Sequence, residues 1–563
     1  VRYVTEVGVT RRTRMRLVAV GTLALVGFAA LVTLLYAASM HAFPGDSDGA
    51  TVVLEGQAMR TGQLMLHGWA LSLDSFWTVD AVFYMVVECV TGMRAMLVYL
   101  VPAILAALVI VVGALLARDG RSGAPGWVGA GTVVLLLAFP SHVLSTFFLR
   151  GPLHVGTALV CLVAFSGLRS GRLGWGWVVA VLCFALGTLG DFQMAALGVA
   201  PAAVAGLVAM ARTRRWRSGS SSVAAAGAGL VLAGVLREVA DAVGTFSVNA
   251  GHPRASTSQV LTNLKHIVTW GANMLGVGHG SLGNGGVPGA LQALHLFGLA
   301  VLVAGVAVST VALVRGAIRG KAPEVPEAPN SPWRLDDLLV VAFFSSLVVF
   351  TALTTSDDPG FMRYLTSAVI FGSILAGRWV GGSVATVASP RLLRTAAAAF
   401  LVVAVAFAAG VGWTVTGPRP TQAVAHLGRF LESHKLRQGI GDYWSASVTT
   451  VTTNGVVTVR PVVTTPAGTV VRYQRQSAAD WYARQSFEFL VYDTARPWGG
   501  VSSVTASRTF GPVAHTYAVG TYRVLVWDHS LSVSTVGFAP IPVGAQSALA
   551  RGHGRHRFDA ALS

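Results

Sequence analysis

Stretches of about 16–25 mostly apolar residues recur along the first part of the chain, and they limit the fold more than any other feature. They lie near 15–39, 95–117, 127–148, 153–168, 175–190, 193–210, 222–241, 291–314, 337–354, 362–383 and 395–415. A peptide group in hydrocarbon finds no water, so such a segment crosses as a helix that closes its own hydrogen bonds. The sequence therefore predicts an all-α polytopic membrane protein with about 11 transmembrane helices. Only 12% of the 563 residues are charged and 53% are hydrophobic, which excludes a soluble enzyme, a disordered chain and a coiled coil. The first apolar run is too long for a signal peptide, and no small-residue cleavage site follows it.

The charges between the spans set a direction. Arg11, Arg12, Arg14 and Arg16 precede the first span, and Arg118 and Arg121 follow the second. Arg169 and Arg172, then Arg212, Arg214, Arg215 and Arg217, then Arg315, Arg319, Lys321 and Arg334, then Arg378, Arg391 and Arg394 continue the series in alternate loops. The other loops carry fewer: Arg60, Arg94, Arg150, Arg237, Arg254, Lys265 and Arg363. Basic residues stay on the cytoplasmic side, so the alternation predicts an inside N-terminus and, with an odd number of spans, an outside C-terminus. The net charge of +17 is thus a topology signal, and no nucleic-acid partner is expected.

The tail changes character. Residues 421–436 have helical periodicity, and the runs WSASVTTV, GVVTVRPVV, GTVVRYQR, FEFLVYD and HTYAVGTYRVLVWD read as strands separated by turn residues. The predicted organisation is a membrane domain over 1–416 with outer loops at 40–94 and 242–290, an extracytoplasmic α+β domain over 417–545, and a mobile end over 546–563. KAPEVPEAPNSP reads as a Pro-rich inner linker and GVGHGSLGNGGVPG as a flexible outer loop. Cys89, Cys161 and Cys183 lie in or beside apolar stretches and match no metal or redox spacing. His252, His266 and His279 suit no metal site, and neither a Walker A sequence nor a His-Glu-x-x-His motif is present.

The predicted topology collects acids on the outer side. Asp46 and Asp48 sit where the chain leaves the first span, ahead of a surface helix over 49–60. Asp48 suits an N-cap as well as a proton acceptor. Asp74 and Asp80 follow, interleaved with Trp69, Phe76, Trp77 and Tyr84. Asp191 lies between two apolar spans, where a carboxylate is costly unless solvated or paired. Asp357 and Asp358 precede Arg363 and Tyr364. A carboxylate there can accept a hydroxyl proton during group transfer, and a nearby cation can stabilise a phosphate leaving group.

GDSDGA after the first span, RGPLHVGT, LGDFQM, SDDPGFMRYL and the tail opening GRFLESHKLRQGIGDYW together resemble the GT-C-type polytopic membrane glycosyltransferases, in the style of the actinobacterial group of such proteins. These enzymes take a sugar from a polyprenyl-phosphate donor at the outer face. The resemblance implies that a first-loop acid is the catalytic base, which falls on Asp48 with Asp46 as the alternative. Many members carry an Asp-Glu pair there; this chain has Asp46-Ser47-Asp48. The expected substrate-binding set is Asp74, Asp80, Trp77, Asp191, Arg150, His154, Lys265, Asp357, Asp358, Arg363 and Tyr364, with Arg363, Arg150 or Lys265 on the donor phosphate. The implied partners are membrane lipid, a lipid-linked sugar and an envelope glycan or protein acceptor, with no resident metal assigned. Two rival readings stand beside this one: a transporter or flippase of lipid-linked glycan intermediates, and a non-catalytic envelope scaffold. Catalysis requires Asp48, Asp191 and Arg363 to converge on one cavity; a scaffold does not.

Overall fold

The structure is a computed structural model, described over residues 11–169, 173–248, 254–278, 289–319, 335–386, 390–420, 423–483 and 485–534. The Pro-rich linker, most of the Gly-rich loop and the chain's end lie outside the described residues.

The chain is a multi-pass membrane protein. Among the described residues, seven helices are long and apolar enough to cross a membrane: Val18–Ala42, Leu97–Arg118, Ala195–Thr213, Ser220–Ala242, Leu291–Ile318, Leu335–Leu353 and Pro359–Ala385. Val155–Leu168, Trp175–Gly190 and Ala397–Gly412 are shorter apolar helices. Leu23, Val26, Val231 and Leu401 are exposed large apolar side chains on these helices, as a lipid-facing surface requires. One expectation changes. The stretch 127–148 is not one straight helix but a pair, Gly123–Ala138 and His142–Phe148, bent by 92°. Pro140 lies in the break: it has no N–H to continue the helix, and the Ser141 side chain starts a new one by accepting from Leu144 N.

Thr366–Ala385 packs against Leu97–Arg118, Gly123–Ala138, Gly289–Arg319 and Leu335–Leu353, and so forms the centre of the bundle. Small residues allow the approach. A Cβ on Gly377 would stand 2.5 Å from the Gly129 carbonyl oxygen, and one on Gly129 2.8 Å from that of Gly377.

The tail is α+β, with one correction. WSASVTTV forms the helix Tyr443–Thr452, not a strand. The reason is topological: Gln438–Gly441 and Thr458–Thr464 pair in parallel, and parallel neighbours need a crossover rather than a hairpin. Asp442 caps that crossover by accepting from Trp444 N and Ser445 N. The sheet order is Val470–Arg472, Thr458–Thr464, Gln438–Gly441, Phe487–Asp493, Tyr522–Leu531, His515–Val519. The predicted tail helix is present as Ala423–Ser433.

The tail is seated on the loop that follows the first span. Helix Tyr443–Thr452 packs on helix Ser47–Arg60, where Thr51 Oγ1 donates to Ser447 Oγ at 3.0 Å and Val448 N to Ser47 Oγ at 3.4 Å. A second sheet joins three separate segments: Trp69–Leu71 pairs with Ser247–Val248 on one side and Ser477–Ala478 on the other. Asn454 Oδ1 accepts from Ala95 N at 2.9 Å. Buried Val448, Val451, Val462 and Leu490 of the tail belong to the same apolar core as the bundle.

Candidate functional site

The chain leaves the first span through Phe43 and enters the helix Ser47–Arg60. Asp46, not Asp48, is the N-cap: its backbone is extended, its carboxylate accepts from Gly49 N at 3.0 Å, and it is ion-paired to Arg150. Asp48 stands in the first helical turn, half-buried. The cap duty is filled two residues earlier, so the Asp48 carboxylate is available for other work. Its Oδ1 accepts from the Tyr443 hydroxyl at 2.5 Å.

A second acidic group forms where the segment 72–80 folds onto the end of helix Trp175–Gly190. Phe76 N and Ser75 Oγ both donate to the Gly190 carbonyl, at 2.7 and 3.2 Å. This clamp brings Asp74 to Asp191 and His154; one ligand atom from each lies within 4.8 Å of the others, and all three residues are buried. His154 Nδ1 meets Asp191 Oδ2 at 2.7 Å, while Nε2 faces the Gln193 amide at 2.8 Å. Thr157 Oγ1 and Gln193 N also donate to the Asp191 carboxylate. Burial opposes a charged imidazole, but the attraction and hydrogen bond of Asp191 outweigh it and hold His154 above its ordinary value. The three side chains could hold a divalent cation. The contacts they already make are those of a His–Asp pair sharing a proton.

The backbone at this place is strained. Phe76 and His154 both occupy the left-handed region, with φ of 54° and 66°, and their rings face each other at 5.3 Å. Non-glycine residues hold such angles at a cost of about 1–3 kcal/mol each, and they concentrate at functional sites. π-type turns at Trp77–Ala81 and Ala195–Val199 flank the pair. Gly156 is required here: a Cβ on it would stand 2.6 Å from Asp80 Oδ2 and 2.8 Å from the Val79 carbonyl. Asp80 is 1% exposed and its Oδ2 has no hydrogen-bond partner among the described residues. Burial, with the charge of Asp191 adding and His154 opposing, pushes its carboxyl up to about 7.

Arg363 links the two groups. Its guanidinium lies over the Tyr364 ring at 5.0 Å and donates to the Tyr364 hydroxyl at 3.5 Å. The charges of Asp48 and Asp358 act on it, and its own charge acts on His154. Tyr364 in turn faces the His154 ring at 5.6 Å. Asp48, Arg363, Tyr364, His154, Asp191, Asp74 and Asp80 are therefore brought to one region. Arg150 is taken up by Asp46, and the remaining expected site residues have their own local surroundings. Trp77 donates to Leu64 O at 2.8 Å and packs on Phe246. Lys265 is exposed on helix Thr257–Met274. Asp357 accepts from Gln259 and lies 3.9 Å from His266, and Asp358 caps the turn Pro359–Leu365. Sequence reasoning missed Tyr443, Gln193 and Thr157. The last two had a local signal, at two positions from Asp191 and three from His154; Tyr443 had none, being separated from Asp48 by most of the chain.

Glu88 gives this loop a pH dependence. It is 1% exposed, neither oxygen has a hydrogen-bond partner among the described residues, and Arg60 Nε is 3.9 Å away. Burial, partly offset by Arg60, pushes its carboxyl from 4.5 up to about 8. The folded state then binds this proton more tightly than the unfolded chain. The contribution to stability is full below the unfolded value and is lost as pH rises through about 8. The thermal midpoint is expected to fall between about pH 5 and 8, and to fall less in Glu88→Gln. An unchanged slope in Glu88→Gln would assign the effect to other groups.

No family model matches the chain, and no curated protein matches it. Among solved structures, the apo crystal structure of ArnT from Cupriavidus metallidurans aligns with a TM-score of 0.54 at 13% identity, over 90% of this chain and 98% of that one. The same protein bound to undecaprenyl phosphate gives 0.48 at 14% identity, over 92% and 99%. The Archaeoglobus fulgidus oligosaccharyltransferase tethered with an acceptor peptide gives 0.41 at 10%, over 83% and 69%. The first of these is a likeness of fold alone; the other two are too distant to carry an argument.

Proposed function

We propose that this membrane protein is a GT-C-type glycosyltransferase, which transfers a sugar from a polyprenyl-phosphate donor to a cell-envelope acceptor at the outer face of the membrane. The observation that carries the reading is Asp48: a half-buried carboxylate at the mouth of the first span, freed from capping, in the field of Arg363. Asp48 takes the acceptor hydroxyl proton as its oxygen bonds to the anomeric carbon of the sugar. The bond from that carbon to the phosphate oxygen breaks, and the polyprenyl phosphate leaves with the electron pair. Arg363 holds the phosphate and stabilises its growing charge. Asp191 and His154, with Asp74 and Asp80, position the sugar. The tail, seated over the first loop, receives the acceptor.

The orientation fits. Arg378, Arg121 and Arg212 lie at the end of the bundle away from the tail, with Arg378 Nη1 donating to the Leu116 carbonyl and Arg212 paired to Asp337. With those charges cytoplasmic, the tail is outside.

The test compares cells with and without the gene. Loss of the gene is expected to build up one polyprenyl-phosphate sugar and remove one glycosidic substituent from the envelope. Vesicles carrying the protein should move label from a radiolabelled polyprenyl-phosphate sugar into an envelope fraction. Unchanged lipid and envelope pools would sink the proposal. Build-up of lipid-linked sugar on the inner leaflet, with no transfer in vesicles, would replace it by the flippase reading.

A further inference from the structure

We infer that the tail domain completes the reaction centre, and that the Tyr443 hydroxyl positions the Asp48 carboxylate for proton transfer. The inference rests on Asp48 being the base.

Asp48 and Tyr443 occupy the first turns of two helices that pack on each other, Ser47–Arg60 and Tyr443–Thr452. The register between them is held by the Thr51–Ser447 and Val448–Ser47 hydrogen bonds, all four residues being buried. A phenol donating to a carboxylate forms one of the stronger hydrogen bonds, and this one, at 2.5 Å, is at the short end of the range. It occupies Oδ1, so the proton of the incoming hydroxyl goes to Oδ2.

The donor is itself held. Gln476, at φ 51°, meets the same hydroxyl. The phenol has one proton and two acceptors beside it, Asp48 Oδ1 and Gln476 Oε1, and the charged carboxylate is the stronger acceptor. The ring is fixed by Trp444 at 5.0 Å, Tyr473 at 5.4 Å and Trp498 at 5.6 Å. Burial first, and then the Asp48 charge, raise the phenol well above its usual range, so it keeps the proton it donates. A strained residue, an aromatic enclosure and a short charge-assisted bond all converge on one carboxylate oxygen. Simple satisfaction of a surface acid by water would need none of them.

Tyr443→Phe keeps the ring and its stacking and removes the hydroxyl. In the vesicle assay, kcat is expected to fall by about 10–100-fold, the scale of one lost charge-assisted hydrogen bond, with KM for the acceptor fraction within threefold of wild type. Because Tyr443 acts through Asp48, Asp48→Asn/Tyr443→Phe should be no slower than Asp48→Asn alone. Fluorinated tyrosines at position 443 keep the shape while the phenol becomes more acidic; turnover should fall along that series at constant KM. The series also serves if Tyr443→Phe does not fold. Full turnover in Tyr443→Phe, with Asp48→Asn inactive, overturns the inference and leaves the proposed function standing. Full turnover in Asp48→Asn removes the base, and the inference with it. A raised KM at unchanged kcat makes Tyr443 an acceptor contact and also overturns it.

Discussion

Asp48→Asn is expected to cut sugar transfer by about 10²–10⁴-fold, the usual worth of a positioned general base, while the protein inserts and melts like wild type. The second half of that expectation comes from the cap geometry. Asp46 fills the N-cap and accepts from Gly49 N, so replacing Asp48 leaves the helix start intact. Asn at 48 can still accept from Tyr443, so the seat of the tail is kept and only the proton acceptor is lost. Asp46→Asn separates the two acids: Asn still caps, and the ion pair to Arg150 is weakened at a half-exposed place, so a change of only a few fold is expected. Turnover of Asp48→Asn within threefold of wild type, in vesicles where wild type transfers, would move the search to Asp191, Asp357 and Asp358.

The other large effect lies at the far end of the bundle. Arg212 and Asp337 are each 2% exposed and meet at 3.0 Å. Arg212→Leu removes the Arg212 charge from beside the buried Asp337 carboxylate and is expected to cost about 3–5 kcal/mol, read as a lowered thermal midpoint in detergent. Arg212→Leu/Asp337→Leu should recover most of that loss, because two apolar side chains of similar bulk avoid the desolvation of both charges. A double variant as unstable as the single one would show that the pair's other contacts, not its charges, hold the helices together.

Arg212 also shows how one residue can be read correctly and incompletely. In the sequence it belongs to a basic loop and marks a side of the membrane. In the structure it also closes an ion pair across two helices more than a hundred positions apart. Asp46 and Asp48 are the converse case. Both lie in one short loop, and either could cap or react; which one caps depends on which residue is the last extended one before the helix. No composition rule decides that. The run WSASVTTV, which reads as a strand and folds as a helix, departs from expectation for a related reason. Its β-branched residues favour a strand locally, but parallel pairing of the strands on either side demands a crossover, and that demand won.

The apolar spans, the alternation of basic loops, the strand-rich tail and the unusual acids beside apolar segments are all legible along the chain. These follow from local rules: a bilayer sets a length, a backbone without water must bond to itself, and a sheet face repeats every second residue. The meeting of Asp48 with Tyr443 and of His154 with Asp191 and Asp74, and the reach of the Arg363 charge to both groups, come from the tertiary structure. Each joins segments far apart in the chain, and their separation is fixed by packing at glycine contacts, strained turns and a three-segment sheet. A hydrogen bond acts over about 3 Å, whereas sequence patterns constrain only near neighbours along the chain; the packed core is what converts one into the other.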